Sequence, residues 1–229
     1  MKKFIPNWLL VWYRNIKKNN SKFRNMNTKE VFTEIYNTNF WKSSESISGT
    51  GSEVKQTATL INDLDKLLSD MKIESVLDLP CGDFKWMQKV DLSKIDYVGA
   101  DIVEELIMSN RNQYKERGNI KFKVLNLITD PLPKSDMIIV RDCLVHLSYE
   151  DIKNAIKNIK SSGSKYLLTT TFTNHRLNHD IVTGHWRPLN LQKEPFNFSS
   201  PIIIINENCT QDNGEFKDKS MALWDISKV

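Results

Sequence analysis

Residues 75–83 read Ser75-Val76-Leu77-Asp78-Leu79-Pro80-Cys81-Gly82-Asp83. An apolar run ends on an acid and breaks at once into proline and glycine, the pattern of a buried strand that stops at a tight turn. The strand is expected over 75–79, and the same pattern recurs downstream. DYVGAD (96–101), IKFKVLN (120–126), DMIIVR (136–141) and KYLLTTT (165–171) are all short and rich in β-branched or aromatic residues. Between them, helical spacing predicts helices over 84–90, 103–116 and 148–160, the last opened by a Ser148/Asp151 capping pair.

Strand alternating with helix implies right-handed crossovers and a parallel sheet. The alternation ends with PIIIIN (201–206) and SMALWDI (220–226), two strands that close the sheet as an antiparallel hairpin. The expected architecture is α/β: a Rossmann-like, seven-stranded, mostly parallel sheet with helices on both faces. Upstream of it, Asn27 and Glu30 form a capping box that opens a helix through Val31, Phe32, Ile35 and Tyr36. A Ser- and Gly-rich loop, WKSSESISGTGS (41–52), then leads to a helix from about Glu53 behind a Ser52 cap.

The composition agrees with one globular domain. The chain has 229 residues, 40% hydrophobic and 26% charged, and no apolar run long enough to span a bilayer. Its three cysteines lack metal-ligand spacing, which points to reduced thiols and a cytoplasmic setting. The first 24 residues hold seven basic side chains and no acid, which leaves a net −3 on the rest. The body therefore lacks the basic surface of a nucleic-acid-binding protein, and no such partner is expected. In the tail, Ile5, Trp8, Leu9, Trp12 and Ile16 recur at helical spacing among the cations. Residues 1–26 read as a basic amphipathic segment that packs on the domain or a partner, or lies at the inner face of a membrane. Residues 27–229 read as the single domain.

Ligands of parallel sheets bind at the carboxyl ends of the strands, where Asp78 and Asp101 stand at the ends of consecutive strands. Asp101 follows Gly82 by 19 residues, where an acid can accept hydrogen bonds from both hydroxyls of a ribose. A pyrophosphate cofactor would ask for a run of glycines, and only Gly82 is present. A cationic nucleoside without pyrophosphate fits better, with Asp78 and Asp83 near its ammonium. S-adenosylmethionine (SAM) has both properties. Asn126 and Leu127, ending the third strand, would meet an adenine.

These motifs resemble those of class I SAM-dependent methyltransferases, with LDLPCGD in place of the family's glycine-rich loop and GAD carrying its ribose-binding acid. Pro80 and Phe84 stand at two of the usual glycine positions. More narrowly, WKSSESISGTGS, DLPCGDFKWM, RDCLVHLS and NHDIVTGHWRPLNLQKEPFNF are similar to small bacterial methyltransferases of capsule and surface-polysaccharide biosynthesis. The resemblance implies SAM as cofactor and S-adenosylhomocysteine as product. Further cofactor contacts are expected from Pro80, Cys81, Trp86, Ile102 and Arg141. It also implies methyl transfer to an oxygen of a sugar precursor, or of a sugar-linked group such as capsular phosphoramidate. The alternatives are a non-catalytic binding protein of the same fold and an NAD-dependent sugar oxidoreductase.

RDCL, following the fourth strand, differs from the Pro-Pro-aromatic tetrapeptide of enzymes that methylate DNA bases. A helix over 142–147 would put Asp142 and His146 on one face, the carboxylate orienting the imidazole as a general base. Acceptor contacts are expected from Trp41 and Glu45, and from the long 172–198 connection through His175, Asp180, Arg187 and Asn190. In that connection a divalent metal at His175 and His179 is the minor reading, and no metal is expected.

Overall fold

A computed structural model describes residues 21–114 and 118–229. Residues 1–20 of the basic segment read over 1–26 lie outside the described residues. The elements are α1 (Thr28–Asn37), α2 (Val54–Asp70), β1 (Ser75–Asp78), β2 (Asp96–Asp101), α3 (Glu104–Tyr114), β3 (Ile120–Val124), β4 (Met137–Val140), α4 (Tyr149–Ser161), β5 (Tyr166–Phe172), β6 (Ile203–Asn206) and β7 (Lys219–Asp225).

The seven strands form one sheet in the order β3-β2-β1-β4-β5-β7-β6. The first five pair in parallel, and β7 inserts antiparallel between β5 and β6. This is the expected architecture. Both sheet faces are buried, so the apolar residues of the central strands alternate between two cores. Val76, Met137, Ile139, Leu168 and Met221 face a core built with α2 and α3. Leu77, Ile138, Val140, Leu167 and Trp224 face the core under α4.

Two capping expectations are met by hydrogen bonds. The Asn27 side chain accepts from Glu30 N at 3.0 Å while Asn27 N donates to Glu30 Oε2 at 2.8 Å. Ser148 Oγ accepts from Asp151 N at 3.1 Å. Ser52 does not cap α2; it belongs to a short 3-10 turn, and Glu45 Oε1 accepts from Val54 N at 2.9 Å instead. The long 173–202 connection is no detached lid, because Arg187, Leu189, Leu191 and Phe198 along it are buried.

The helix expected over 84–90 does not form; a single 3-10 turn, Met87–Lys89, takes its place. Gly82 and Phe84 have φ of +56° and +59°, and a side chain with positive φ cannot propagate an α-helix. What holds Phe84 there is its ring. It is fully buried and packs on Tyr97, Tyr114 and Phe122 at centroid distances of 5.2, 4.9 and 5.2 Å. The apolar residues of this stretch thus serve an aromatic cluster beneath a turn, and their helical spacing is coincidental. Truncation Phe84→Ala is expected to cost about 3–5 kcal/mol in denaturant unfolding, the loss typical of a buried phenylalanine; a loss below about 1 kcal/mol would mean that this cluster does not anchor the turn.

Candidate active site

The turn after β1 is stitched across the ends of its neighbours. Leu79 N donates to Ile139 O of β4 at 3.0 Å and Cys81 N to Ala100 O of β2 at 2.7 Å. Gly82 N donates to Asp101 Oδ2 at 3.2 Å, and Asn110 of α3 donates to Gly82 O at 2.8 Å. A cleft of about 1010 Å³ opens on this turn. Pro80, Cys81, Gly82 and Trp86 line it from β1, and Asp101 and Ile102 from the end of β2. Asn126 and Leu127 follow β3, and Arg141, Asp142 and His146 follow β4. Twelve sequence-predicted site residues, counting Trp41, are thereby brought to one cleft.

Asp101 is buried, and its Oδ1 also accepts from Val103 N at 3.1 Å. Burial raises its carboxyl to about 6 against the pull of these amides. Asp78 lies deeper and does not line the cleft. Its Oδ2 accepts from the Tyr97 hydroxyl at 2.6 Å, its Oδ1 is buried without a hydrogen-bond partner, and burial lifts it to about 7. Asp78 therefore supports the turn from below.

The WKSSESISGTGS loop closes over the turn. Ser46 Oγ donates to Asp83 Oδ2 at 2.9 Å, Asp83 N donates to Ser48 Oγ at 3.1 Å, and Gly51 O accepts from Arg141 Nη2 at 2.8 Å. A Cβ on Gly82 would lie 2.1 Å from Ser48 Oγ, so the loop and the glycine are fitted to each other. Asp83, expected near the ammonium, fastens the loop and lies outside the cleft lining.

The expected Asp142–His146 helix is also absent. Asp142 has φ of +49°, and Leu144–His146 forms one 3-10 turn. The imidazole is oriented by the 173–202 connection, because His146 Nδ1 lies 3.0 Å from His185 O. A carbonyl only accepts, so Nδ1 carries the proton and Nε2 is the basic nitrogen. Burial lowers this imidazole to about 4 and keeps it neutral. Trp41 packs on it at a centroid distance of 5.0 Å.

Asp142 is held by groups that sequence reading did not single out. Lys219 Nζ, at the start of β7, donates to Asp142 Oδ2 at 2.6 Å and lies 3.4 Å from Glu207 Oε2. Glu207, just beyond β6, accepts from Arg141 Nη2 at 2.5 Å, and Arg141 Nη1 lies 3.4 Å from Asp142. Two acids and two bases thus form a closed, largely buried ring that keeps Asp142 ionised, far below the usual carboxylate range. The available signal was a charged residue at the end of each apolar strand of the hairpin.

The remaining expected acceptor residues have structural tasks. Arg187 is buried and donates to three backbone carbonyls, Leu144 O, Leu147 O and His179 O, at 2.9, 2.8 and 3.2 Å. Asn190 ties Thr173 and His175 of the same connection through their carbonyls. Asp180 accepts from Tyr149 N at 2.7 Å at the start of α4, and Glu45 serves α2 as described. None of these, nor His175 or His179, lines the cleft. Among the described residues no cluster of three or more His, Cys, Asp or Glu is placed to hold a metal, and no helix is long and apolar enough to cross a membrane.

A second cavity, of about 1080 Å³, adjoins the first and shares Trp41, Ser48, Asp142 and His146 with it. His146 and Asp142 therefore stand at the junction of two compartments. One is floored by the β1 turn and the other is walled by the C-terminal half of the chain.

No protein-family model matches the chain, and no curated protein does. Solved structures do. Magnesium protoporphyrin IX methyltransferase from Synechocystis PCC 6803, solved with bound SAM, aligns over 86% of this chain and 96% of its own, with a TM-score of 0.60 at 16% identity. Human N-acetylserotonin methyltransferase, in complex with SAM, aligns over 94% of this chain and 65% of its own, with a TM-score of 0.59 at 14% identity. The methyltransferase domain of bacterial CtHen1 aligns over 76% of this chain and 98% of its own, with a TM-score of 0.52 at 14% identity. The chain has the fold of these methyltransferases.

Proposed function

We propose that this protein is a SAM-dependent methyltransferase acting on an oxygen of a sugar, or of a sugar-linked group such as capsular phosphoramidate. One observation carries the reading. In a methyltransferase-type sheet, the cleft at the strand ends is floored by a tight turn at Gly82 and presents the buried carboxylate of Asp101. That acid is where a ribose would be held, and Asn126 and Leu127 lie where an adenine would meet them. The buried carboxyl of Asp101, which lines the cleft and accepts only from backbone amides, suits a cofactor that brings hydroxyl donors to it. Bound SAM supplies an electrophilic methyl group on a sulfonium.

The chain's own residues do the rest. The junction of the two cavities lets an acceptor approach from the second compartment while the cofactor fills the first, which is the alignment an in-line transfer needs. His146, neutral and with Nε2 as its basic nitrogen, takes the acceptor proton. As the acceptor oxygen gained the methyl group its O–H bond would break toward Nε2, so the charge lost at the sulfonium would reappear on the imidazole. The ionised Asp142 favours that imidazolium across space. The Arg141–Glu207–Lys219 ring keeps Asp142 charged and unable to take the proton itself.

Three outcomes are expected. Asp101→Ala should weaken SAM binding about ten- to a hundredfold by calorimetry, the worth of hydrogen bonds to a charged acceptor; an unchanged dissociation constant would contradict the ribose assignment.

The second concerns pH. Asp78 and Asp101 bind protons more tightly in the folded state, near 7 and 6, than in the unfolded chain, near 4. Between these values the unfolded state holds fewer protons, so stability falls as pH rises from about 4 to about 7. Asp78→Asn removes the larger contribution and should flatten the melting temperature between pH 5 and pH 8. A variant that declines as steeply as the parent would show that Asp78 is already ionised.

The third concerns the base. With the acceptor in hand, His146→Ala should lower the single-turnover rate by about 10²–10⁴-fold, with SAM affinity nearly constant. A full rate in that variant would leave alignment alone as the source of catalysis.

A further inference from the structure

The second cavity has a composition of its own. Among the described residues, two large aromatic side chains are substantially exposed, Phe40 at 42% and Trp186 at 43%, and both line this cavity. Exposed aromatics that converge on one concave surface mark a binding site more than chance exposure does. Trp186 is held edge-on by Phe216 and Phe172, at centroid distances of 4.8 and 6.0 Å and interplanar angles of 70° and 82°. Both neighbours also line the cavity, so a fixed indole stands in its wall.

Apart from Lys219, the polar groups the cavity offers are acceptors and neutral donors. Gln211 Nε2 donates to Thr50 Oγ1 at 2.6 Å, joining the C-terminal turn to the WKSSESISGTGS loop, and Ser48 and Asp212 lie on the same lining. The lysine of the lining is Lys219, already committed to Asp142 at 2.6 Å and Glu207 at 3.4 Å. Arg187, expected as an acceptor contact, does not line this cavity and is turned to three backbone carbonyls. An anionic acceptor would find its cation already neutralised and would face the carboxylates of Asp142 and Asp212.

We infer that the second cavity is the acceptor subsite and that it takes an uncharged pyranose ring stacked on Trp186, in preference to an anionic phosphoramidate. This deepens the methyltransferase reading and rests on it. The C–H face of a pyranose is weakly electropositive and matches the negative face of an indole, while its hydroxyls suit Ser48, Gln211 and Asp212. A hydroxyl at the inner end of such a ring would reach the junction where His146 stands.

Saturation-transfer difference NMR tests this with methyl glycosides of glucose, galactose and mannose as neutral probes and glucose 6-phosphate as the anionic one. Transfer to pyranose C–H protons is expected from at least one neutral glycoside. Binding should weaken about three- to tenfold in Trp186→Ala and recover in part in Trp186→Phe. The thermal shift given by S-adenosylhomocysteine serves as the independent control and should be the same in parent and variants. Should Trp186→Ala fail to fold by that control, Phe40→Ala, on a side chain of equal exposure, takes its place. Absence of transfer from every neutral glycoside with the thermal shift intact would overturn the subsite and leave the cofactor reading standing. So would transfer from glucose 6-phosphate alone, or neutral binding left unchanged by Trp186→Ala (or by Phe40→Ala where it takes its place). Loss of the thermal shift in the parent protein would instead overturn the cofactor reading.

Discussion

Four charged side chains in a closed ring, three of them buried, set the geometry on which the site depends. Arg141 and Asp142 are adjacent in sequence at the end of β4, whereas Glu207 and Lys219 come from the C-terminal hairpin. Burying charges is costly, and each is tolerable only while its partners stay in place. That mutual requirement locks the hairpin in register against the parallel half of the sheet. Arg141 extends the lock further, because its guanidinium also holds Gly51 O of the closing loop and lies 5.3 Å over the Trp86 ring. One ring thus joins the closing loop, the β1 turn, the β4 end and the hairpin.

The consequence for chemistry is a division of labour. Asp142 cannot easily change protonation, since two cations hold it, and so it is a fixed negative charge. His146 can change protonation and is aimed by a carbonyl from a different part of the chain. A fixed anion beside a neutral, oriented imidazole is the arrangement that favours proton uptake at one atom. Segment 21–26 joins the same construction: Ser21 Oγ lies 2.7 Å from His185 Nε2, and Phe23 packs where Gly184 leaves room. The start of the described chain therefore braces the loop that aims the His146 imidazole.

Much of the fold was legible because strands buried on both faces leave unbroken apolar runs, and their order followed from the alternation with helices. Asp101, Gly82 and the β3 end were legible for the same reason: position at a strand end determines what a side chain can face. The misreadings came from spacing taken as periodicity. Phe84 and Asp142 both sit at positive φ, a choice made by tertiary packing and hydrogen bonding that no local pattern reveals. Arg187, Asn190 and Asp180 have the residue types of a binding loop. In this structure their polar groups satisfy backbone amides and carbonyls that an irregular, buried connection would otherwise leave unpaired. Glu207 and Lys219 were hidden by distance, since their partners lie more than 60 residues away along the chain.

A crystal structure of the protein with S-adenosylhomocysteine tests most directly whether the cleft over the Gly82 turn holds the adenosyl moiety. Expected are ribose hydroxyls on the Asp101 carboxylate, adenine against Asn126 and Leu127, and the thioether sulfur directed to the junction at His146. Density for the nucleoside in the second cavity, or a ribose held away from Asp101, would contradict this placement.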